Sequence, residues 1–170
     1  KELIMSNKHY PSNISKHVRD PKIIKKDENY YLILGARTND NQGCVLLYKS
    51  QDLKNFEYFN TITTPKRFGY MWECPDLFEL PVDGTNEKKW VLLCNLNPGG
   101  PFGGSATQYF VGSFNGKEFV NESPSKTKWM DWGKDHYATV TWSDAPDNRP
   151  IAIAWMSNWQ YANDVPTSQY

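Results

Sequence analysis

The sequence predicts an all-β chain assembled from repeated four-stranded units, on three observations. Aromatic residues make up 15% of the 170 positions, with seven Trp and ten Tyr, a composition suited to strands and to surfaces that stack on flat ligands. Three short runs, residues 30–37, 90–97 and 150–157, begin 60 residues apart and are apolar on both faces, as a buried central strand is. No window sustains a helical period. Length alone allows one domain or a part of one.

Each central run is preceded by another short strand pattern, at residues 20–24, 74–80 and 137–142. The turns that separate these pairs carry breakers: Asp27 and Asn29, then Asp83 and Gly84, then Pro146, Asp147 and Asn148. A third strand follows at 44–48 and 108–112, and a fourth at 56–59 and 118–120. A β-sandwich also spaces short strands between turns. The three-way alignment favours propeller blades instead, at about 14–66, 67–128 and 129–170, the last without its outer strands. A propeller needs at least about four blades to close. The chain begins without an initiator Met or a signal-peptide pattern. Residues 1–170 are therefore expected to form a partial propeller.

Lys plus Arg and Asp plus Glu number 19 each, for a net charge of zero. That argues against nucleic acid or an anionic membrane as partner, since both select a concentrated basic face. The longest apolar runs, 44–48, 90–94 and 151–156, fall far short of the roughly 18 residues that span a bilayer. Three cysteines (Cys44, Cys74, Cys94) and three scattered histidines show no metal-ligand spacing. Buried thiols, no metal and no cofactor are expected.

Arg19-Asp20-Pro21 and Glu73-Cys74-Pro75 stand at matching points of consecutive units, 54 residues apart. First strands of blades line the central channel, so Asp20 and Glu73 are expected to face one cavity, with Asp135, His136 and Tyr137 near the same height in the third unit. Convergent carboxylates suit glycoside hydrolysis, one protonating the leaving oxygen and one meeting the developing positive charge. Strand-end capping is the competing reading of both residues.

These residues resemble the signatures of family 32 glycoside hydrolases, the β-fructosidases. His17-Val18-Arg19-Asp20-Pro21-Lys22 resembles the family's Arg-Asp-Pro motif, and Met71-Trp72-Glu73-Cys74-Pro75-Asp76 its Glu-Cys motif. Residues 97–101, 103–112, 131–138 and the tail 155–167 are similar to segments of the levanase and exo-inulinase branch. The resemblance implies a five-bladed propeller and a retaining mechanism on terminal β-fructofuranosyl units. It implies that Glu73 is the general acid/base and that Asp20 holds sugar hydroxyls and stabilises the transition state. Arg19 would hydrogen-bond substrate and neighbouring carboxylates. Tyr137 and Trp159 would surround the fructose, with blade packing as the competing reading of each. Cys74 would tune the surroundings of Glu73 rather than react.

One motif of that family is missing. Its nucleophile is an Asp within Trp-Met-Asn-Asp-Pro-Asn-Gly in the first blade, and no such sequence occurs here; Asp40 and Asp164 share only neighbouring letters with it. The first two blades are therefore expected to be absent, leaving a fragment inactive alone that oligomerises, or pairs with the missing part, through open edges. Fructans or sucrose are the expected substrates. A sucrose or sucrose-6-phosphate hydrolase and a non-catalytic fructan-binding or assembly module are the alternatives. Secretion, extracellular or periplasmic, is favoured because polymeric fructans do not enter cells.

Overall fold

The computed structural model describes residues 3–64 and 68–166. Thr167 of the tail segment and the expected blade limits at 66, 67 and 170 lie outside the described residues. Among the described residues ten strands form, interrupted where the breakers stand: β1 (Ile14–Lys26), β2 (Asn29–Thr38), β3 (Gly43–Ser50), β4 (Glu57–Ile62), β5 (Trp72–Pro81), β6 (Lys88–Leu96), β7 (Ala106–Phe114), β8 (Phe119–Asn121), β9 (Tyr137–Thr141) and β10 (Ala152–Trp155). Two four-stranded antiparallel meanders, β1 to β4 and β5 to β8, are followed by the antiparallel pair β9–β10. No helix among the described residues is long and apolar enough to cross a membrane.

The first two sheets stack side by side because their central strands are apolar on both faces, while the third joins the second through buried polar groups, Asn95 and Asp76 bonding Thr139 and Thr141. Ile33, Val45 and Leu47 of the first sheet pack with Trp72, Leu77, Leu92 and Phe110 of the second in one core, each fully or almost fully buried. At about 1.5–3 kcal/mol for each large side chain taken out of water, this interface is the main source of stability. The other face of the first sheet (Leu32, Leu34, Leu46, Tyr48) is covered by Met5, Tyr10 and Val18. First strands meet near a common line, β1 against β5 and β5 against β9.

Sheet three presents a different outer face. Val140 pairs with Ile153, and the Trp142 N–H bonds the Ile151 carbonyl at 2.9 Å. All four side chains are exposed, Trp142 at 61% and Ile153 at 56%. In the first sheet the corresponding face is the one buried against sheet two.

A close approach between sheets one and two depends on a missing side chain. A Cβ on Gly35 would lie 2.2 Å from the Trp72 carbonyl oxygen, far inside van der Waals contact. Gly35→Ala is expected to push the sheets apart at a cost of about 1–3 kcal/mol, lowering the thermal midpoint by several degrees. An unchanged midpoint in a melting experiment would show that the contact gives way without cost.

Candidate active site

One irregularity recurs in every sheet. Between Arg19 and Lys22 of β1, Glu73 and Asp76 of β5, and Tyr137 and Val140 of β9, the first strand holds one residue more than its partner. The residue after each leading position has left-handed backbone: Asp20 (φ 57), Cys74 (φ 39) and Ala138 (φ 53). A β-bulge of this kind breaks the strict alternation of side chains. Two successive residues of each first strand therefore reach the same cavity. Only Asp among the three readily tolerates left-handed backbone, so the bulges at Cys74 and Ala138 hold strain imposed by the surrounding packing.

The cavity, about 350 Å³, is lined by Arg19, Asp20, Glu73, Cys74, Tyr137, Ala138, Trp155 and Trp159. Its polar wall is a row across three sheets. Arg19 Nη1 donates to Glu73 Oε1 at 2.9 Å, and the Tyr137 hydroxyl donates to Glu73 Oε2. Arg19 Nη2 lies 3.0 Å from His17 Nδ1. A guanidinium only donates, so that ring nitrogen accepts, and burial together with the charges of Arg37, Arg19 and Lys16 holds the His17 pKa below its ordinary value. Asp20 Oδ2 accepts from the Cys74 N–H at 2.8 Å, tying the first bulge to the second.

Aromatic rings continue the lining beside Tyr137. Trp155 and Trp159 lie 5.1 Å apart at 54°, and Trp155 meets Tyr137 edge-on at 6.4 Å. Trp159 is half exposed and Tyr137 buried. Carboxylates and indole rings lining one cavity suit a ligand that carries both hydroxyls and exposed C–H groups.

All six sequence-predicted site residues (Glu73, Asp20, Arg19, Tyr137, Trp159 and Cys74) line this one cavity. Asp135 and His136 do not. Asp135 is exposed and accepts from the Tyr161 hydroxyl, while His136 Nε2 lies 2.9 Å from Thr139 Oγ1. Trp155, which sequence reasoning placed in a central strand and in the tail segment but not among the site residues, is a lining residue; its pairing opposite Tyr137 is the signal that finds it.

Burial, then the neighbouring Asp20 and Glu73 carboxylates, push the Cys74 thiol up to about 12. Little thiolate forms at pH 8, and the greater nucleophilicity of a basic thiolate recovers only part of that loss. Alkylation of Cys74 in the folded chain at pH 8 is expected to run about a hundredfold slower than that of a free thiol. Peptide mapping after timed iodoacetamide exposure checks this, and labelling at the free-thiol rate would contradict it.

Comparison with known proteins completes the picture. The family model for the N-terminal domain of glycosyl hydrolases family 32 matches residues 1–170. The levanase of Bacillus subtilis is 46% identical over 167 residues, covering 94% of this chain and 24% of that protein. An extracellular exo-inulinase of Meyerozyma guilliermondii is 44% identical over 154 residues, covering 89% of this chain and 29% of its own. The solved fructofuranosidase of Schwanniomyces occidentalis complexed with fructose superposes with a TM-score of 0.80 at 35% identity, over 89% of this chain and 29% of that one. The exo-inulinase of Aspergillus awamori gives 0.76 at 35% identity, over 88% and 30%. The chain thus spans under a third of the length of these relatives. Its sheets are blades of a five-bladed β-propeller. Likeness over nearly the whole chain, in sequence and in backbone alike, leaves one assignment: the chain belongs to glycosyl hydrolases family 32 and lies in that family's N-terminal domain.

Proposed function

We propose that this chain carries the acid/base half of a β-fructosidase site, releasing terminal β-D-fructofuranosyl units from levan, inulin or sucrose with retention. The observation that carries the reading is the row Arg19–Glu73–Tyr137, one residue from each blade, in one cavity with Asp20 and two indole rings. Glu73 is the general acid/base, protonating the leaving oxygen and later taking a proton from water. Its two carboxylate oxygens already hold two donors. Protonation displaces one of them, and only Tyr137 can adapt, because its hydroxyl both donates and accepts while Arg19 can only donate.

Asp20 holds sugar hydroxyls. Oδ2 is engaged by the Cys74 N–H, leaving Oδ1 to accept from the ring and to face the positive charge that develops as the glycosidic bond breaks. Arg19 orients Glu73 and reaches the substrate's oxygens. Trp155 and Trp159 cover the apolar face of the sugar, and Cys74 stays protonated. The nucleophile is supplied from outside this chain, by the blades that complete the ring. Those blades cover the apolar face of sheet three formed by Val140, Trp142, Ile151 and Ile153. The blades within this chain run over about 14–66, 67–128 and 129–170.

The test is fructose release from levan, inulin and sucrose by two proteins. One is the chain alone; the other is the chain joined to the flanking segments of the Bacillus subtilis levanase it matches. Release only by the joined protein supports the reading. Release by the chain alone would place the nucleophile among its own carboxylates. Saturable sugar binding by the joined protein without release would favour a binding module instead.

A further inference from the structure

Asn95 stands directly opposite Glu73 in the β5–β6 register and is fully buried. Its amide is used to capacity. Nδ2 donates to the Cys74 carbonyl at 3.0 Å and the Thr139 carbonyl at 3.3 Å. Oδ1 accepts from the Thr139 N–H at 3.0 Å and from Thr107 Oγ1 at 2.5 Å. The orientation of the amide is fixed by its partners, since two of them are carbonyls and one is an N–H.

Two of those partners belong to the bulges that shape the cavity. Cys74 follows Glu73, and Thr139 lies two residues beyond Tyr137. One buried side chain in the second blade thereby grips the bulge of its own first strand and that of the next blade. The corresponding positions work differently. Gly35, opposite Arg19, admits the Trp72 backbone by having no side chain, and Trp155, opposite Tyr137, lines the cavity.

We infer that Asn95 is a positioning residue that sets the distance between the second and third bulges and so holds Tyr137 in hydrogen-bonding reach of Glu73. The inference rests on the acid/base reading of Glu73, because the contact it protects is the one that accommodates both protonation states. No other side chain of this size replaces it. Asp keeps the acceptors and loses both donors, so two buried carbonyls lose their partner.

The test compares Asn95→Asp and Asn95→Ser with Thr107→Val, which removes the Thr107 hydroxyl's bonds to the amide and to Thr139 Oγ1 but leaves the amide's own bonds to both bulges. The first readout needs no activity: the NMR resonance of the Tyr137 ζ-carbon, identified by its loss in Tyr137→Phe. Either Asn95 variant is expected to move it toward the position of a solvent-exposed tyrosine, and Thr107→Val to leave it in place. The second is turnover of the levanase-joined protein. There kcat is expected to fall about tenfold to a hundredfold in an Asn95 variant with KM changed far less, as expected when a reacting group is misplaced by a fraction of an ångström. An unmoved resonance in either folded Asn95 variant would overturn the inference. An inactive joined protein with a shifted resonance would instead count against the catalytic reading and leave the positioning role standing. Asn95→Ser, which leaves room for water, serves if Asn95→Asp does not fold.

Discussion

Glu73→Gln in the levanase-joined protein is expected to lower kcat on sucrose and fructans by about a hundredfold to ten-thousandfold, the usual contribution of a positioned general acid/base. Gln preserves the shape of the row: its oxygen still accepts from Arg19, and its amide donates to a Tyr137 hydroxyl that turns to accept. What it lacks is a proton to give to the leaving oxygen. KM is therefore expected to change little, and steady-state kinetics separates the two effects. A loss below tenfold would remove Glu73 from the acid/base role.

The second large effect concerns stability and lies one layer below the cavity. Asp76 is fully buried between three blades. Its Oδ2 accepts from Lys22 Nζ at 3.2 Å, from the Thr141 N–H at 2.7 Å and from Thr141 Oγ1 at 2.6 Å, and its Oδ1 from the Leu77 N–H at 2.9 Å. Lys22 also donates to the Thr141 carbonyl at 2.7 Å. Both carboxylate oxygens have partners, three on Oδ2 and one on Oδ1, so the desolvation of the ion pair is offset within the structure. Asp76→Ala strands a largely buried ammonium and two donors of Thr141. The expected cost is about 3–5 kcal/mol, a large share of the 5–15 kcal/mol typical of a folded domain. Denaturant unfolding followed by Trp fluorescence measures it. Asp76→Asn, which keeps an acceptor and the volume, is expected to lose less. Equal stability of Asp76→Ala and the parent chain would show that the three blades do not need this node.

How far the sequence could be read depends on which signals are periodic. The strands were legible because apolar runs recur at a fixed interval and Gly, Pro, Asn and Asp mark the turns between them. That Asp20 and Glu73 share a cavity was legible from their motifs, which stand at matching points 54 residues apart, whereas the Arg19 contact with a carboxylate was implied only by the family resemblance. Lys22 and Asp76 share that spacing, and the same comparison carried three residues further would have paired them. Tyr137 joins the row only because the bulge in β9 falls at the same place as in β1 and β5. Cys74 and Ala138 give no sign of left-handed backbone, since that conformation is imposed by packing rather than by their own preference. Asp135 looked suitable as a third acidic group, yet it precedes the strand and binds Tyr161 at the surface. Asn95 left a faint mark: a lone polar residue inside an apolar central strand, where an unpaired amide would be costly.

The central claim is that Glu73 gives its proton to the leaving group of a retaining fructosidase. The most direct measurement is azide rescue of Glu73→Ala in the levanase-joined protein, using an aryl β-fructofuranoside whose leaving group departs without protonation. The fructosyl–enzyme then forms, and azide, which needs no general base, attacks it in place of water. The account predicts faster turnover with azide and a β-fructofuranosyl azide product, retained in configuration after two inversions. No rescue with the activated substrate, or an α-configured product, would contradict it.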